Sequence, residues 1–307
     1  MPRRMLIVIA LGGNALLRKG QKGEVWEQWA TATAAARSLA VALKDVNAVI
    51  THGNGPQVGY LLEAFNSLPR ARPRQPLYLA VAMTQGWIGF ILQHSLEKAM
   101  PKRKVVVVPT RVVVRSSDPA LRVPTKPVGP YYTREEAEEL ERRLGWIMKE
   151  DPRGGYRRLV PSPRPVKVLE SDYIRELALQ GALVIAAGGG GIPILETGEP
   201  VDAVVDKDLA SSLLARSIGA DRLVILTDVP GVAVGYGEPG ARWLSRVAVS
   251  ELKHLHRMGY FPPGSMGPKV EAAIEFVEAT GGTAHIGSLE RALEVVAGTS
   301  GTIVVPG

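Results

Sequence analysis

Three lysines stand beside residue types that suit the binding of an anion. Lys207 lies between Asp206 and Asp208 at the start of a segment with helical spacing, and Lys269 follows two glycines at the start of another. A cation in the first turn of a helix opposes the helix dipole, so we expect a bound anion to reverse that balance. Lys126 lies among prolines that stiffen its loop, where the alternative is an ordinary solvated charge.

Three glycine-rich turns follow apolar runs and offer bare main-chain amides. Four glycines in one turn suggest that a bulky or anionic group approaches the main chain itself. If the runs are parallel strands, the turns share one edge of a sheet, which suits a phosphate chain or a phosphoryl group in transfer. The alternative for any single turn is a simple connection. The turns contain Gly12, Gly13 and Asn14; Gly53, Asn54 and Gly55; and Gly188, Gly189, Gly190 and Gly191.

Several other functional classes lack their signatures. The sequence has no GxxxxGK[ST] motif, and GNGPQVG does not have the glycine spacing of a dinucleotide-binding turn. The absence of cysteine excludes disulfides and thiolate chemistry. The five histidines show no metal-ligand spacing with carboxylates, so we predict no protein-built zinc site. His52, beside Gly53, is interpreted as a structural turn residue.

The elements that must position these residues alternate along the chain. Apolar runs are followed by segments with helical spacing, which predicts an α/β fold with a parallel sheet between helices. The runs are continuously apolar, as expected for strands covered on both faces. The predicted strands are LIVIAL, AVIT, VVVVPTRVVV, ALVIAA, RLVILT, TAHI and TIVV. The predicted helices are 26–43, 58–65, 77–100, 208–218, 250–257 and 268–280.

Residues 116–165 interrupt this alternation. The segment is rich in Pro, Arg, Gly and Tyr, too polar for the main core. Thr133 and Glu136 form the pattern of a capping box before a charged helix. With the Tyr131–Tyr132 pair, this favours an ordered, projecting subdomain, here called the lid, over a disordered insertion.

Composition is that of a globular protein. The 307 residues are 46% hydrophobic and 22% charged, with a net charge of +7. Aromatic content is only 6% and no nucleic-acid motif is present, so the positive charge favours attraction of small anions over nucleic-acid binding. No apolar stretch has membrane-spanning length, and the lack of cysteine suits the cytoplasm.

The motifs ALGGNALL, THGNGPQVG, PTKPVGPYYT, AAGGGGIP, AVVDKDLAS, LTDVPGV and GSMGPKVEAA, in this order, resemble those of the carbamate kinase family in the amino-acid kinase superfamily. The resemblance covers nearly the whole chain. It implies a three-layer sandwich around a mainly parallel sheet of about eight strands, within a single domain 1–307. It further implies an acceptor lobe at 1–215, a nucleotide lobe at 216–307, the lid between them in sequence, and a homodimer.

The resemblance also implies an activity and a set of site residues. The reaction is reversible phosphoryl transfer between ATP and carbamate with Mg²⁺, in arginine metabolism. The catalytic residues are Lys126, Lys207, Asp208 and Lys269. The phosphoryl group and carbamate contact Gly12, Gly13, Asn14, Gly53, Asn54, Gly188, Gly189 and Gly190. The nucleotide contacts Asp228, Ala233, Tyr236, Met266, Gly267 and Lys269. Pro230 departs from the acidic residue that many relatives carry.

This chemistry agrees with the reading of the residues. Carbamate is already an anionic nucleophile, so the protein must position it and screen spreading charge, which lysines and amides do. Magnesium is expected to arrive on the nucleotide phosphates, with no protein-built metal site. Two alternatives stay open: a kinase of another small carboxylate on the same fold, or a nucleotide- or anion-binding regulator without turnover.

Overall fold

The computed structural model describes residues 4–17, 20–67, 75–151 and 154–307. Within them the strands are β1 (Leu6–Leu11), β2 (Asn47–His52), β3 (Val105–Val107), β4 (Arg111–Val114), β5 (Lys126–Tyr132), β6 (Ile147–Glu150), β7 (Tyr156–Val160), β8 (Pro165–Val168), β9 (Leu183–Ile185), β10 (Ile192–Leu195), β11 (Arg222–Thr227), β12 (Val232–Val234), β13 (Arg242–Leu244), β14 (Arg246–Ala248), β15 (Thr283–Ser288) and β16 (Thr302–Val305). The α-helices are α1 (Val25–Ala42), α2 (Gly55–Ser67), α3 (Leu77–Ala99), α4 (Arg134–Leu144), α5 (Ser171–Leu179), α6 (Lys207–Ser217), α7 (Val249–Arg257), α8 (Met266–Thr280) and α9 (Ala292–Ala297).

The central sheet has eight strands in the order β14-β16-β15-β11-β1-β2-β9-β3. The six strands from β15 to β3 are mutually parallel, whereas β16 runs antiparallel to β15. The predicted fold class, an α/β sandwich with a mainly parallel sheet of about eight strands, is confirmed. The antiparallel β16 is possible because a short connection, rather than a full crossover, returns the chain from α9.

Helices cover both faces of this sheet, and β1 shows why. Ile7, Ile9 and Leu11 pack against one layer, which contains α1, α3 and α9. The alternate residues Leu6 and Val8 pack against the other layer, which contains α6 and α8. All six residues of β1 are fully buried, so the continuous apolar run follows from burial on both faces.

The run VVVVPTRVVV is not one strand, and that prediction was wrong. It forms β3 in the central sheet and β4 in a separate sheet with β8 and β10. Pro109 has no N–H for a ladder hydrogen bond, and the Thr110 amide is held by the Gln85 side chain instead. The strand therefore ends at Val107, and the chain changes sheets before Arg111.

The described part of the lid is ordered and has its own sheet. Strands β5, β7 and β6 form an antiparallel sheet, and α4 lies beside it. Thr133 caps α4 with the predicted capping box: its hydroxyl accepts from the Glu136 amide, and the Glu136 carboxylate accepts from the Thr133 amide. The division of the chain into an acceptor and a nucleotide lobe remains a prediction.

Two buried histidines make the stability of this fold depend on pH. Burial lowers the pKa of both His285 and His52 to about 4. Their unfolded pKa is about 6.5, so between these values the unfolded chain binds protons that the folded chain does not.

We therefore predict that these two histidines make their full contribution to the free energy of unfolding above pH 6.5. The free energy of unfolding should fall as the pH drops toward 4. His285→Asn, whose amide can still donate to the Val295 carbonyl that the imidazole contacts at 2.7 Å, should flatten this slope by about one proton. Urea unfolding at several pH values measures it. An unchanged slope in the variant would contradict the assignment.

Candidate active site

The three glycine turns lie side by side at the carboxyl ends of adjacent strands. Strand β1 leads into Gly12, β2 into Gly53, and β9 into the turn at Gly188. These strands are neighbours in the order β1-β2-β9, with Leu11 paired to His52 and Ile50 paired to Ile185. This edge, where the connections diverge to opposite faces, is where parallel α/β sheets bind ligands.

A buried carboxylate with two ammonium groups lies at this edge. Lys207 Nζ donates to Asp208 Oδ1 at 2.6 Å, and Lys269 Nζ donates to Asp208 Oδ2 at 2.9 Å. The lysine side chains are 13% and 15% exposed, and that of Asp208 is 4% exposed. Helices α6 and α8 pack together on one face of the sheet, which brings their first turns into contact. We call these three residues the charged triad.

The charged triad carries a net positive charge in a buried place. Burial alone would raise the pKa of the Asp208 carboxyl, but the two ammonium groups outweigh it and hold that pKa well below its usual range. Burial lowers the pKa of Lys207 despite its contact with Asp208. For Lys269 the attraction of Asp208 prevails over burial and raises the pKa. One carboxylate thus holds both lysines.

The lid contributes a third cation, Lys126, which forms an ion pair with Asp206. This residue caps α6, since its Oδ1 accepts from the Asp208 amide at 2.8 Å and from the Leu209 amide at 3.3 Å. Its other oxygen, Oδ2, accepts from Lys126 Nζ at the start of β5. Asp206 therefore joins the lid to the first turn of the helix that carries Lys207.

Two of the three lysines face a cavity of about 510 Å³ between the lid and the sheet edge, whereas Lys269 is not among its lining residues. Lys126 and Lys207 line it, and so do residues of the turns after β1, β2 and β9. Those turn residues are Gly13, Gly53, Asn54, Gly55 and Gly189. Lid residues Gly129, Pro130, Tyr131 and Arg157 form the opposite wall. The size suits a small anion together with part of a larger molecule.

The four consecutive glycines are required by packing against the protein itself. An added Cβ would lie 2.5 Å from His52 Nε2 at Gly188, 2.0 Å from Asn54 Nδ2 at Gly189 and 2.2 Å from the Val205 carbonyl oxygen at Gly190. At Gly191 it would lie 2.2 Å from Val112 Cγ2. All four are buried, and Gly189 lines the cavity. Close approach does explain the run, but the approaching groups are mostly the protein's own.

Two residues that sequence reasoning missed hold this turn. Gln85 on α3 donates to the Gly188 carbonyl at 3.0 Å and to the Thr110 carbonyl at 3.1 Å, and accepts from the Thr110 amide. Thr110 Oγ1 accepts from the amide of Ala187, which has a positive φ of 48°. Both side chains are buried. A glutamine within the mostly apolar first half of α3 was the available signal.

His52 is structural, as the sequence suggested. Its side chain is buried, Nδ1 donates to the Gly53 carbonyl at 2.9 Å, and its low pKa keeps it neutral near pH 7. Asn54 is also buried and donates from Nδ2 to Thr84 Oγ1 at 2.9 Å. Gly12 donates to the Leu226 carbonyl at 2.9 Å, joining the first turn to β11. The backbone of Asn14 lies in a short 3-10 turn.

The predicted nucleotide residues surround the carboxyl end of β11 and the start of α8. Asp228 directly follows β11, and its charge contributes to the raised pKa of Lys269. Ala233 is buried in β12, while Tyr236 is 63% exposed with its ring 6.0 Å from that of Trp243. Beyond Pro230, the Val232 amide donates to Thr302 Oγ1 at 2.8 Å.

The start of α8 is closely packed beneath this region. The Gly267 amide donates to the Pro262 carbonyl at 2.9 Å, and an added Cβ would also lie 2.9 Å from that oxygen. Met266 begins α8 and packs against the core, and Lys269 follows in the same turn.

Among the described residues, no group of three or more His, Asp or Glu is arranged to hold a metal ion. Nor does any described helix have the length and apolarity to span a membrane.

A parallel-sheet fold with buried ammonium groups and main-chain turns at its strand ends suits a phosphotransferase, because fixed positive charge and main-chain amides can stabilise a transferring phosphoryl group. The sequence profile of the amino acid kinase family matches residues 5–288. The chain belongs to this family.

Relatives and solved structures narrow the group. A carbamate kinase of Pyrococcus furiosus is 48% identical, with 98% of this chain and 99% of the relative covered. The structure of carbamate kinase from Giardia lamblia bound to AMP-PNP is 39% identical, with a TM-score of 0.91 and full coverage of both chains. A crystal structure from Aeropyrum pernix is 59% identical, with a TM-score of 0.92 and coverage of 98% and 100%. The resemblance to carbamate kinases is confirmed.

The charged triad predicts a specific pattern of stabilities. Asp208→Asn leaves two buried ammonium groups without their counter-charge, which should destabilise the fold by about 3–5 kcal/mol. Adding Lys207→Met should recover part of that loss, because one of the repelling charges is gone.

Urea unfolding measures both variants. The control is Glu278→Gln, which breaks the exposed ion pair between α7 and α8 and should cost about 1 kcal/mol or less. Equal effects for Asp208→Asn and the control would contradict the buried role of Asp208.

Proposed function

We propose that this protein catalyses reversible phosphoryl transfer between ATP and carbamate, giving carbamoyl phosphate and ADP. The observation that carries the proposal is the charged triad at the edge where the three glycine turns meet. Relatives over the full chain length that are named carbamate kinases support the choice of acceptor. A neighbouring structure named as bound to AMP-PNP supports the nucleotide.

In this proposal the lysines act by charge and position. The transferred phosphoryl group spreads negative charge over its equatorial oxygens, and Lys207 and Lys269 would screen it from fixed places. Asp208 holds both ammonium groups and relieves their repulsion. Carbamate is anionic, so no general base is needed. Lys126 would reach the same oxygens from the lid once it leaves Asp206.

The main chain would hold the two substrates on opposite sides of this charge. Amides of Gly13, Asn14, Gly53 and Asn54, with the turn at 188–190, would hold carbamate and the phosphoryl group. Gly12, whose amide donates to the Leu226 carbonyl, would contact them only through the absence of a side chain. Nucleotide contacts would come from Asp228, Ala233, Tyr236, Met266 and Gly267. Magnesium prefers phosphate oxygens with one or two carboxylates, so we place it on the nucleotide phosphates, where it neutralises their charge.

The alanine variants Lys207→Ala and Lys269→Ala test the proposal. Each should retain the fold and lose on the order of 10²–10³ in turnover, because one fixed charge on the transferred group is missing. The assay mixes the protein with carbamoyl phosphate, ADP and Mg²⁺ and measures ATP. Lys253→Ala, which removes an exposed lysine far along α7, is the matched control and should keep full activity.

The outcomes separate the remaining candidates. Near-normal turnover in either alanine variant would refute the assigned roles. A wild-type protein that is silent here but uses another acyl phosphate would be a kinase of a different small carboxylate. If ATP binds and no acyl phosphate reacts, the protein is a nucleotide-binding regulator.

We further propose a cytoplasmic homodimer that associates through α1 and α3. Trp26 on α1 is 69% exposed, and Met83 and Phe90 on α3 are 44% and 59% exposed. Residues seven apart share one helix face, and the Phe90 ring lies 5.6 Å from that of Trp29 on α1. An exposed apolar face continuous over two packed helices is typical of a self-association surface.

Light scattering coupled to gel filtration tests the dimer. The double variant Met83→Glu/Phe90→Glu should elute as a monomer, because four buried carboxylates in the dimer would lack partners. Tyr173→Glu on α5, a residue 70% exposed, is the control and should remain dimeric. A wild-type monomer, or a dimer in both variants, would refute this surface.

A further inference from the structure

The lid strand β5 is interrupted where it passes the cavity. Val128 pairs with Arg158 and Tyr132 pairs with Tyr156, so three residues of β5 face the single residue Arg157 of β7. The two extra residues form a bulge, which bends the strand. We call Gly129, Pro130 and Tyr131 the lid bulge, and all three line the cavity.

Arg157 contacts two of the three residues of the lid bulge. Its Nη2 and Nε both donate to the Gly129 carbonyl, at 2.9 and 3.3 Å, and its guanidinium carbon lies 5.2 Å from the centre of the Tyr131 ring. The Arg157 side chain is only 12% exposed. Gly129 has a φ of 79°, which residues with a side chain rarely adopt. These contacts therefore fix the shape of the bulge on the side that faces Arg157.

The lid bulge also packs against α2, where Gly129 meets Gly59. A Cβ on Gly59 would lie 2.0 Å from the Cα of Gly129 and 2.8 Å from its nitrogen. These are backbone atoms, so no side-chain rotation could relieve the clash. Gly59 lies in the second turn of α2, the helix that begins directly after Asn54 at the cavity edge.

A displacement of Gly129 at this contact would also displace Lys126, because both belong to β5. Lys126 begins β5, three residues before Gly129, and therefore about 10 Å away along an extended strand. Between them Val128 is buried in a cluster with Val58 of α2 and Val160 of β7. The strand is thus held at the cluster and at the bulge, and its first residue carries the ammonium group that reaches Asp206.

We propose that Gly59, Gly129 and Arg157 form a positioning contact that sets where the lid presents the Lys126 ammonium group. Gly59 and Arg157 are positioning residues, because they act through the strand and not on substrate. The effect on turnover rests on the proposed function. The effect on the placement of Lys126 does not.

Gly59→Ala tests the contact by turnover. Alanine is favoured over glycine in a helix, so α2 itself gains stability, while the new Cβ must displace the lid bulge. We expect the rate of ATP formation to fall about 10- to 100-fold, because small misplacements of a charged group have effects of that size. ADP affinity by calorimetry should be unchanged, since the predicted nucleotide residues lie outside the lid. An unchanged rate, or equal losses in rate and ADP affinity, would overturn the proposal.

Arginine variants separate positioning from direct charge. Arg157→Lys keeps the positive charge but loses the planar fork that holds Gly129. A positioning role predicts that Arg157→Lys and Arg157→Met lose similar activity. Full rescue by lysine would mean that the positive charge, toward substrate or toward Asp151 at 3.9 Å, matters rather than the planar fork, and it would overturn the proposal. Arg143→Met, on the exposed face of α4, is the matched control in the same subdomain.

Chemical labelling measures how accessible the Lys126 amine is and does not require enzymatic turnover. The intact protein is treated briefly with an amine-reactive ester, and modification of Lys126 relative to Lys253 is measured by mass spectrometry. The ion pair with Asp206 should slow labelling of Lys126 in the wild type, and Gly59→Ala should accelerate it severalfold. An unchanged ratio would overturn the positioning contact. A wild type that forms no ATP would refute the proposed function and leave this result interpretable.

Discussion

The structure depends on one carboxylate that holds two buried ammonium groups. Without Asp208, Lys207 and Lys269 would repel each other where water cannot screen them. With it, α6 and α8 can bring both first turns to the strand ends, where Lys207 lines the cavity. The low pKa of the Asp208 carboxyl keeps this carboxylate ionised throughout the physiological pH range.

The third lysine is organised differently, because it belongs to the lid. Lys126 is paired with Asp206, the residue that also caps α6. The same carboxyl group therefore caps the helix and neutralises the lid cation. This division places two lysines on the layer that contains α6 and α8, and one on the lid, which has a separate sheet.

Glycine has two distinct uses around the cavity. In the turn after β9 the missing side chains make room for His52, Asn54 and the main chain at Val205, so that strand ends can crowd together. In α2 and β5 the missing side chains let a helix and a lid strand touch, at Gly59 and Gly129. In both places the backbone lies at a distance that any other residue would prevent.

The alternation of strands and helices, the capping box at Thr133 and the position of Lys207 and Lys269 in first helical turns could all be predicted from the amino-acid sequence. Each follows from residues within a few positions of one another. Three features became visible only in the folded chain: Pro109 divides one apolar run between two sheets, Gln85 and Thr110 hold the turn at Gly188, and each lysine contacts particular carboxylate oxygens. These features are contacts between residues far apart in the chain, and local preferences carry no information about which distant groups will meet.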